Sequence, residues 1–476
     1  MKRDLAALAA REHDVLVIGG GIHGVAAAWD AAQRGLKTAL VEADDFGAGT
    51  SWNSLKTIHG GLRYLQTADL ARVRESVRER SALLRIAPAL VKPLSFVIPT
   101  YGHGLKGREA LAVALWINER LSGDRNQGLP PEQRIPAGRS LSPEELRRRA
   151  PGVPEANLSG GALWTDAQVE SSERLTLGFV RAAVEAGARV ANHAPVTGFV
   201  RDGARIAGVQ VRDEEAGVTL EVRARVVLNA AGPGMDAVLA LAGLARPKVP
   251  LLRALNLVLK RAIVREHALG ASSGGRFLFA VPWRDRSIIG TDYGAIETPA
   301  AEQAARFLDE CARAFPWAGL TRDDVALVHR GLVPGTDATR LATRHLLVDH
   351  QADGADGLVS IQGVKYTTAR GVAEEAIDLV ERRLGHPRVA CRTAETPLAH
   401  ARPLEGSLEE RTRVAVRDEM ACALADAVLR RLDLGTAGPP AQADVDEVAR
   451  VMAVELGWSD ARLAEEKRAL ADTYRA

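Results

Sequence analysis

The chain has 476 residues, 46% of them hydrophobic and 26% charged, which is ordinary for a globular protein and too long for one core, so two or three domains are expected. Its 62 basic and 60 acidic residues leave a net charge of +2, which argues against nucleic acid as a partner. Cys311, Cys391 and Cys422 are far apart in the sequence, which excludes a disulfide framework, an iron–sulfur cluster or a cysteine-based zinc site and fits a reducing compartment.

In chain order, the opening "MKRDLAALAAREHD" has an apolar stretch too short for a secretory signal, interrupted by Asp4. No run of about 18 apolar residues follows anywhere. The expected location is the cytoplasm, with peripheral attachment to the inner face of the cell membrane as an option.

The segment "DVLVIGGGIHGVAAAWDAAQRGLKTALVEAD" begins with a continuous apolar run, Val15 to Ile18, of the kind buried in a parallel sheet. Gly19, Gly21 and Gly24 fit G-x-G-x-x-G, an alanine-rich helix follows to Ala32, Gly35 ends it, and a second strand, Thr38 to Val41, finishes at Glu42. This is the strand–turn–helix–strand context of a dinucleotide half-site, with an acid about 20 residues on. Gly19 makes the tight turn, Gly21 lets a pyrophosphate approach the backbone, and Gly24 permits close packing. The phosphate sits on the helix N-terminus, and Glu42 accepts from a ribose. Only one such unit is present, which disfavours a second, nicotinamide cofactor.

Next comes "SLKTIHGGLRYLQ" (54–66), which gathers Lys56, His59, Arg63 and Tyr64 around Gly60 and Gly61. Only nine of the basic residues are lysines, so a lysine in such a loop hints at a need for a compact ammonium. "REALAVALWINERLSG" (108–123) reads as a short amphipathic helix carrying Trp116 and Ile117, able to rest on a bilayer or pack on its own core. The stretch 123–140 is the expected mobile loop, rich in Gly, Pro and charge. "ARVVLNAAGPGMD" (224–236) is a strand entering a Gly/Pro turn, and residues 357–384 are a strand, a turn at Gly363 and a long helix. That helix N-terminus suits negative charge on a reduced flavin ring, so FAD is favoured over NAD. "ADVDEVARVMAVEL" (443–456) has helical periodicity.

Taken together, "VIGGGIHG", "GTSWNSLKTIHGGLRYL", "FAVPWRDRSIIGTD" (279–292), "ATRHLLVD" (342–349) and "LVSIQGVKYTTAR" (358–370) resemble the FAD-dependent glycerol-3-phosphate dehydrogenase/oxidase family, within the D-amino-acid-oxidase-like flavoenzymes. The resemblance runs over nearly the whole chain, to a C-terminal helical segment from about Thr393. It implies an α/β fold: a Rossmann-type FAD-binding domain (10–80, 160–235, 340–390), an antiparallel-sheet substrate domain (81–159, 236–339) and a small α-helical domain (391–476). It places Thr50, Ser51, Ser54, Lys56, Thr57, Gly61, Ala231, Gly232, Gly363 and Thr367 at the cofactor with the motif glycines and Glu42. It turns His59, Arg63 and Tyr64 to the substrate.

The family reaction oxidises sn-glycerol 3-phosphate to dihydroxyacetone phosphate by hydride transfer to flavin N5, with a quinone or another acceptor taking the electrons. His59 is the expected base, since an imidazole is neutral near physiological pH, and Lys365 is the rival. Arg63 and Arg344 suit a phosphate, with Arg253 as a further donor. The substrate side departs from the family pattern. "GLVP" puts Val333 where the family has an arginine, "RALN" (253–256) replaces a Lys-Gly-x-His element, and Val364 replaces a glycine. Arg330, three residues before Val333, is expected on the other face of an extended strand. Two alternatives therefore stand beside the family reaction: a same-fold flavin enzyme for another hydroxy or amino compound, and a flavin-binding protein without catalysis. Oligomeric state is left open.

Overall fold

The computed structural model describes residues 1–102, 104, 107–244, 249–337 and 339–474, so Lys106 and Lys248 lie outside the described residues. The chain divides into two compact units, one of Met1–Trp52, Ser171–Leu252 and Leu332–Ala476, the other of Asn53–Glu170 and Arg253–Gly331.

In the first unit the apolar run of the glycine motif forms the strand His13–Ile18. Its sheet runs, edge to edge, Leu346–Asp349, Leu358–Gln362, Val218–Asn229, His13–Ile18, Thr38–Val41 and Arg189–Ala191. Neighbours are parallel except at the first edge, where Leu346–Asp349 runs antiparallel to Leu358–Gln362. Parallel central strands are covered on both faces, which is why His13–Ile18 and Thr38–Val41 read as unbroken apolar runs. Val196–Asp202 and Arg205–Asp213 form an antiparallel extension on Val218–Asn229.

Helix Ile22–Gln33 packs beside helices Ser172–Glu185 and Ala369–Leu384. Trp29 meets Phe179 edge-on at 5.3 Å. Arg34, buried, pairs with Asp30 at 2.6 Å, Asp378 at 2.6 Å and Glu381 at 2.9 Å, so the motif helix is locked to the helix that follows the Gly363 turn. The C-terminal helices Leu408–Glu419, Gln442–Leu456 and Asp460–Thr473, with a π turn at Asp426–Arg431, enclose Leu424, Val428, Val448 and Met452.

The second unit is built on a sheet ordered Val325–Pro334, Leu251–Leu259, Arg286–Ala295, Arg276–Trp283, His267–Ser273, Val91–Tyr101, Leu158–Val169 and Thr57–Ile58. Antiparallel pairs dominate, as expected, but His267–Ser273 runs parallel to Val91–Tyr101. Phe96, Trp164 and Phe279 form an aromatic core, with centroids 5.4 to 6.3 Å apart. Within the stretch expected to be a mobile loop, Asn126 donates to the Ile135 carbonyl at 2.9 Å and accepts the Ile135 amide at 2.7 Å.

Candidate active site

The nucleotide half lies in the first unit. Gly19 has φ +108, and its turn brings its carbonyl under the motif helix. A Cβ on Gly24 would meet that oxygen at 1.9 Å, so nothing larger than hydrogen fits there. Gly21 is different: a Cβ would find only Ser51 Oγ, at 3.3 Å. The space over Gly21, the N-cap of the helix, is open. Ser51 Oγ accepts the Ile22 amide at 3.0 Å, which ties the 44–52 loop to the helix start. Thr50 Oγ1 instead donates to the Leu332 carbonyl at 2.8 Å and accepts its amide at 3.1 Å.

Glu42 stands at the end of the second strand, as its place in the motif implies. One carboxylate oxygen accepts the Gly20 amide at 2.5 Å and the other the Asp44 amide at 2.9 Å, leaving one lone pair on each for a ribose. Burial raises its pKa, opposed by those two amides. Ala231 and Gly232 form the turn after strand Val218–Asn229, with the Ala231 amide on Asn229 Oδ1 at 3.2 Å. A Cβ on Gly363 would fall 1.8 Å from His23 Nε2, so the Gly363 turn rests on the His23 ring. Burial, with His345 adding repulsion, pushes the His23 pKa down to about 4, so the ring is neutral and adds no charge beside a pyrophosphate. Lys365 is half-buried in the same turn and Thr367 is buried; no side chain caps the helix that starts at Ala369. Arg344 is exposed just before the edge strand. His345 pairs with Glu375 at 2.9 Å. His350 is fixed between Asp353 and Ser360, both at 2.8 Å.

The second unit holds the basic hairpin. Thr57 and Ile58 pair with Gln168 and Ala167, which delivers His59 beside Asp166 of the neighbouring strand. His59 Nδ1 lies 3.6 Å from Asp166 Oδ2, with half of the imidazole exposed and the carboxylate buried. Asp166 also accepts the Gly60 amide at 2.7 Å, Trp164 Nε1 at 3.3 Å and a guanidinium N–H of buried Arg80. A Cβ on Gly60 would collide with Arg80 and Asp166, so glycine is what lets the hairpin lie on this pair. Burial would raise the Asp166 pKa, but the facing His59 imidazole, the Arg80 charge and the Gly60 amide outweigh it and hold it at about 2. Neither Asp166 nor Arg80 was identified from the sequence.

The remaining predicted residues divide. Lys56 is buried with Nζ 5.4 Å from the centre of the Trp283 ring, and Ser54 Oγ accepts the Lys56 amide at 3.2 Å. Thr57 Oγ1 donates to the Leu55 carbonyl at 3.3 Å, and Gly61 (φ +88) opens the 3₁₀ turn Leu62–Thr67. Arg63 is exposed on that turn, its charge felt by Tyr64 and by Tyr293, both of whose pKa values burial raises. Arg253 is committed elsewhere, to the carbonyls of Thr298 at 2.5 Å and Ile296 at 2.7 Å. Arg330 is half-buried with no ion pair among the described residues; burial, and then the neighbouring charge of Arg253, lowers its pKa. Thr291, bonded to Asn256 Oδ1 at 2.7 Å, and Tyr293 add polar groups the sequence reading had not singled out.

Residues 14–379 match the model of the "FAD dependent oxidoreductase" family, and residues 386–463 that of the "C-terminal domain of alpha-glycerophosphate oxidase". The chain belongs to the FAD-dependent oxidoreductases. A glycerol-3-phosphate dehydrogenase of Synechocystis is 34% identical over 434 residues, covering 83% of this chain and 75% of that protein. One from Mycobacterium leprae is 36% identical over 380 residues, covering 77% of this chain; the chain spans 63% of that relative's length. In fold it is similar to glycerol-3-phosphate dehydrogenase from Bacillus halodurans complexed with FAD, with TM-score 0.74 and 23% identity over 98% of this chain and 96% of that one. The cofactor of this flavoenzyme is FAD, and the nucleotide half fits it: open space over Gly21, a carboxylate with lone pairs to spare at Glu42 and a helix start at Ala369 without a side-chain cap.

One expectation follows from Asp166 alone. Its folded pKa, about 2, lies below the ordinary 3.8, so its ionised form stabilises the fold above the unfolded value, and that contribution is lost as pH falls through the folded value. Asp166→Asn should be less stable than the parent at neutral pH, and the gap should narrow between about pH 4 and pH 2. Denaturant melts across that range measure it.

Proposed function

We propose that this flavoenzyme oxidises the secondary alcohol of sn-glycerol 3-phosphate to dihydroxyacetone phosphate and passes the electrons to a quinone. The observation that carries the reading is the half-exposed His59 imidazole backed by buried Asp166 and Arg80. When bound, FAD would supply the two-electron acceptor for the hydride that leaves substrate carbon 2. His59 takes the hydroxyl proton at Nε2, because Asp166 faces Nδ1 and holds the proton there. Arg80 keeps Asp166 ionised, so the imidazolium formed in the step is stabilised. Ser54 to Thr57 support the cofactor. Lys365 is the rival base and otherwise a cation for the hydroxyl.

The substrate phosphate needs paired charge, since an unpaired buried dianion costs several kcal/mol. Arg63 and Arg344 are assigned to it, as the hairpin and the "ATRHLLVD" element imply. Arg344→Ala should weaken glycerol 3-phosphate binding by about 1.5–3 kcal/mol, roughly tenfold or more, and Val333→Arg should strengthen it by a similar amount. Anaerobic titration of the flavin spectrum gives both constants.

Val113 and Trp116, 59% and 60% exposed on helix Arg108–Leu121, support a peripheral membrane contact where a quinone would be met. No helix among the described residues is long and apolar enough to cross a membrane.

Commitment of Arg253 to backbone carbonyls favours a second reading, a same-fold enzyme for another hydroxy or amino compound. The deciding experiment is an anaerobic flavin-reduction screen of glycerol 3-phosphate, glycerol, hydroxy acids and amino acids. Fastest reduction by glycerol 3-phosphate is expected. Faster reduction by an unphosphorylated compound would replace the first reading with the second.

A further inference from the structure

The C-terminal helical segment reaches the nucleotide-binding motif through one buried ionic cluster. Asp45, three residues beyond Glu42, is fully buried. One of its oxygens takes Arg430 Nε and an Arg431 N–H, each at 2.5 Å; the other takes a second Arg431 N–H at 2.7 Å and Asn192 Nδ2 at 2.9 Å. Arg430 also donates to Asp426 at 2.8 Å, and the second Asp426 oxygen accepts His193 Nε2 and the amides of Cys422 and Ala423, each at 2.9 Å. The π turn, closed by the Leu432 amide on the Ala427 carbonyl at 2.9 Å, brings two consecutive arginines to one carboxylate. Ligand atoms of Asp45, His193 and Asp426 lie within 4.8 Å of one another, a spacing that would also suit a cation. The two guanidiniums already neutralise Asp45, so the cluster is an ion-pair lock.

We propose that this lock makes the C-terminal segment part of the FAD site: Arg430 and Arg431 position the Asp45 loop and thereby set the affinity for the adenosine half of the cofactor. The loop between Glu42 and Gly47 is the floor of that half. The Glu42 amide donates to the Ala191 carbonyl at 2.9 Å, the Ala194 amide to Glu42 at 2.8 Å, and the His193 amide to Asp44 at 2.7 Å. The Gly47 amide returns to the Gly20 carbonyl at 3.0 Å, and the buried Phe46 ring would touch a Cβ on Gly20 at 2.8 Å. The end of strand Arg189–Ala191 thus holds the loop on one side, and the arginines hold it on the other. A buried ion cluster is a poor source of net stability but fixes geometry well. The geometry it fixes here is that of the Glu42 carboxylate. Arg430 and Arg431 are positioning residues; they touch no cofactor themselves.

The test is FAD and ADP binding to deflavinated full-length protein, for the parent, Arg430→Lys, Asn192→Ser, Glu42→Gln and the double variant Glu42→Gln/Arg430→Lys. Arg430→Lys should raise the Kd for FAD and for ADP about tenfold alike. The flavin spectrum and reduction potential of the loaded variant should stay at parent values, because the flavin end is untouched. The double variant should bind no more weakly than the weaker single one, since both act through one carboxylate. A tether that only stabilises the fold would lower the melting temperature and leave both constants within twofold of the parent; that result, or additive losses in the double variant, overturns the proposal. Should Arg430→Lys fail to fold, Asn192→Ser, which removes a single amide from Asp45, decides on the same criterion. FAD binding by the parent tests the cofactor site separately.

Discussion

Replacing His59 with alanine should slow anaerobic flavin reduction by about 10²- to 10⁴-fold, the usual worth of a positioned general base, with FAD content at the parent level. The cofactor should be spared because the glycine turn, Glu42 and the Gly363 turn all lie in the first unit, whereas His59 stands on a hairpin of the second. Asp166→Asn is the companion variant. The amide keeps the shape but loses the negative charge that faces Nδ1 at 3.6 Å, so the imidazolium loses its counter-charge and Arg80 is left buried without one. Its rate should fall with that of His59→Ala, and its stability should fall as well, which separates the two. Stopped-flow reduction under nitrogen measures the rate, and Lys365→Ala is the control. If the His59 variant reduces its flavin at the parent rate while the Lys365 variant does not, the base is the lysine and His59 only lines the site.

The parts of this molecule legible from sequence are those whose signal is local. The glycine motif announces itself because turn, helix start and acid must fall at fixed separations along a single βαβ unit, and the structure forms the strands His13–Ile18 and Thr38–Val41 and the helix Ile22–Gln33 where that spacing puts them. Helix 442–456 was legible for the same reason. Asp166 and Arg80 escaped because the contact joining them to the hairpin spans 106 residues, between Gly60 and Asp166, and is made by sheet register. A signal was present in principle: Asp166 is the one charged residue in "ALWTDAQV", and an acid inside a buried strand needs a partner. Arg253 shows the converse limit. Its place on a strand was legible, but a long side chain can end several ångströms from its Cα. This one ends on the carbonyls of Ile296 and Thr298. The Asp45 lock was invisible for a third reason, since it pairs residues 385 and 386 positions apart.

Gly21→Val and Gly24→Val should both abolish FAD binding, but only the second should harm the protein itself. Gly21 has φ −73 and ψ 172, extended backbone that valine adopts without strain. Its side chain would meet only Ser51 Oγ, at 3.3 Å, and would otherwise stand in the open space where a pyrophosphate approaches the helix N-terminus. The Gly21 variant should therefore melt within a degree or two of deflavinated parent, yet purify colourless. At Gly24 the added Cβ lies 1.9 Å from the Gly19 carbonyl oxygen, and both atoms belong to a turn fixed by Gly19 at φ +108. Backbone cannot move aside cheaply, so the turn must open, at a cost of about 1–3 kcal/mol or more for overpacking. Melting of the two apoproteins separates a blocked ligand from a broken turn. Full FAD occupancy in the Gly21 variant would remove the helix N-terminus as the seat of the pyrophosphate. Equal destabilisation of both variants would mean that the space above Gly21 is filled by the protein in solution.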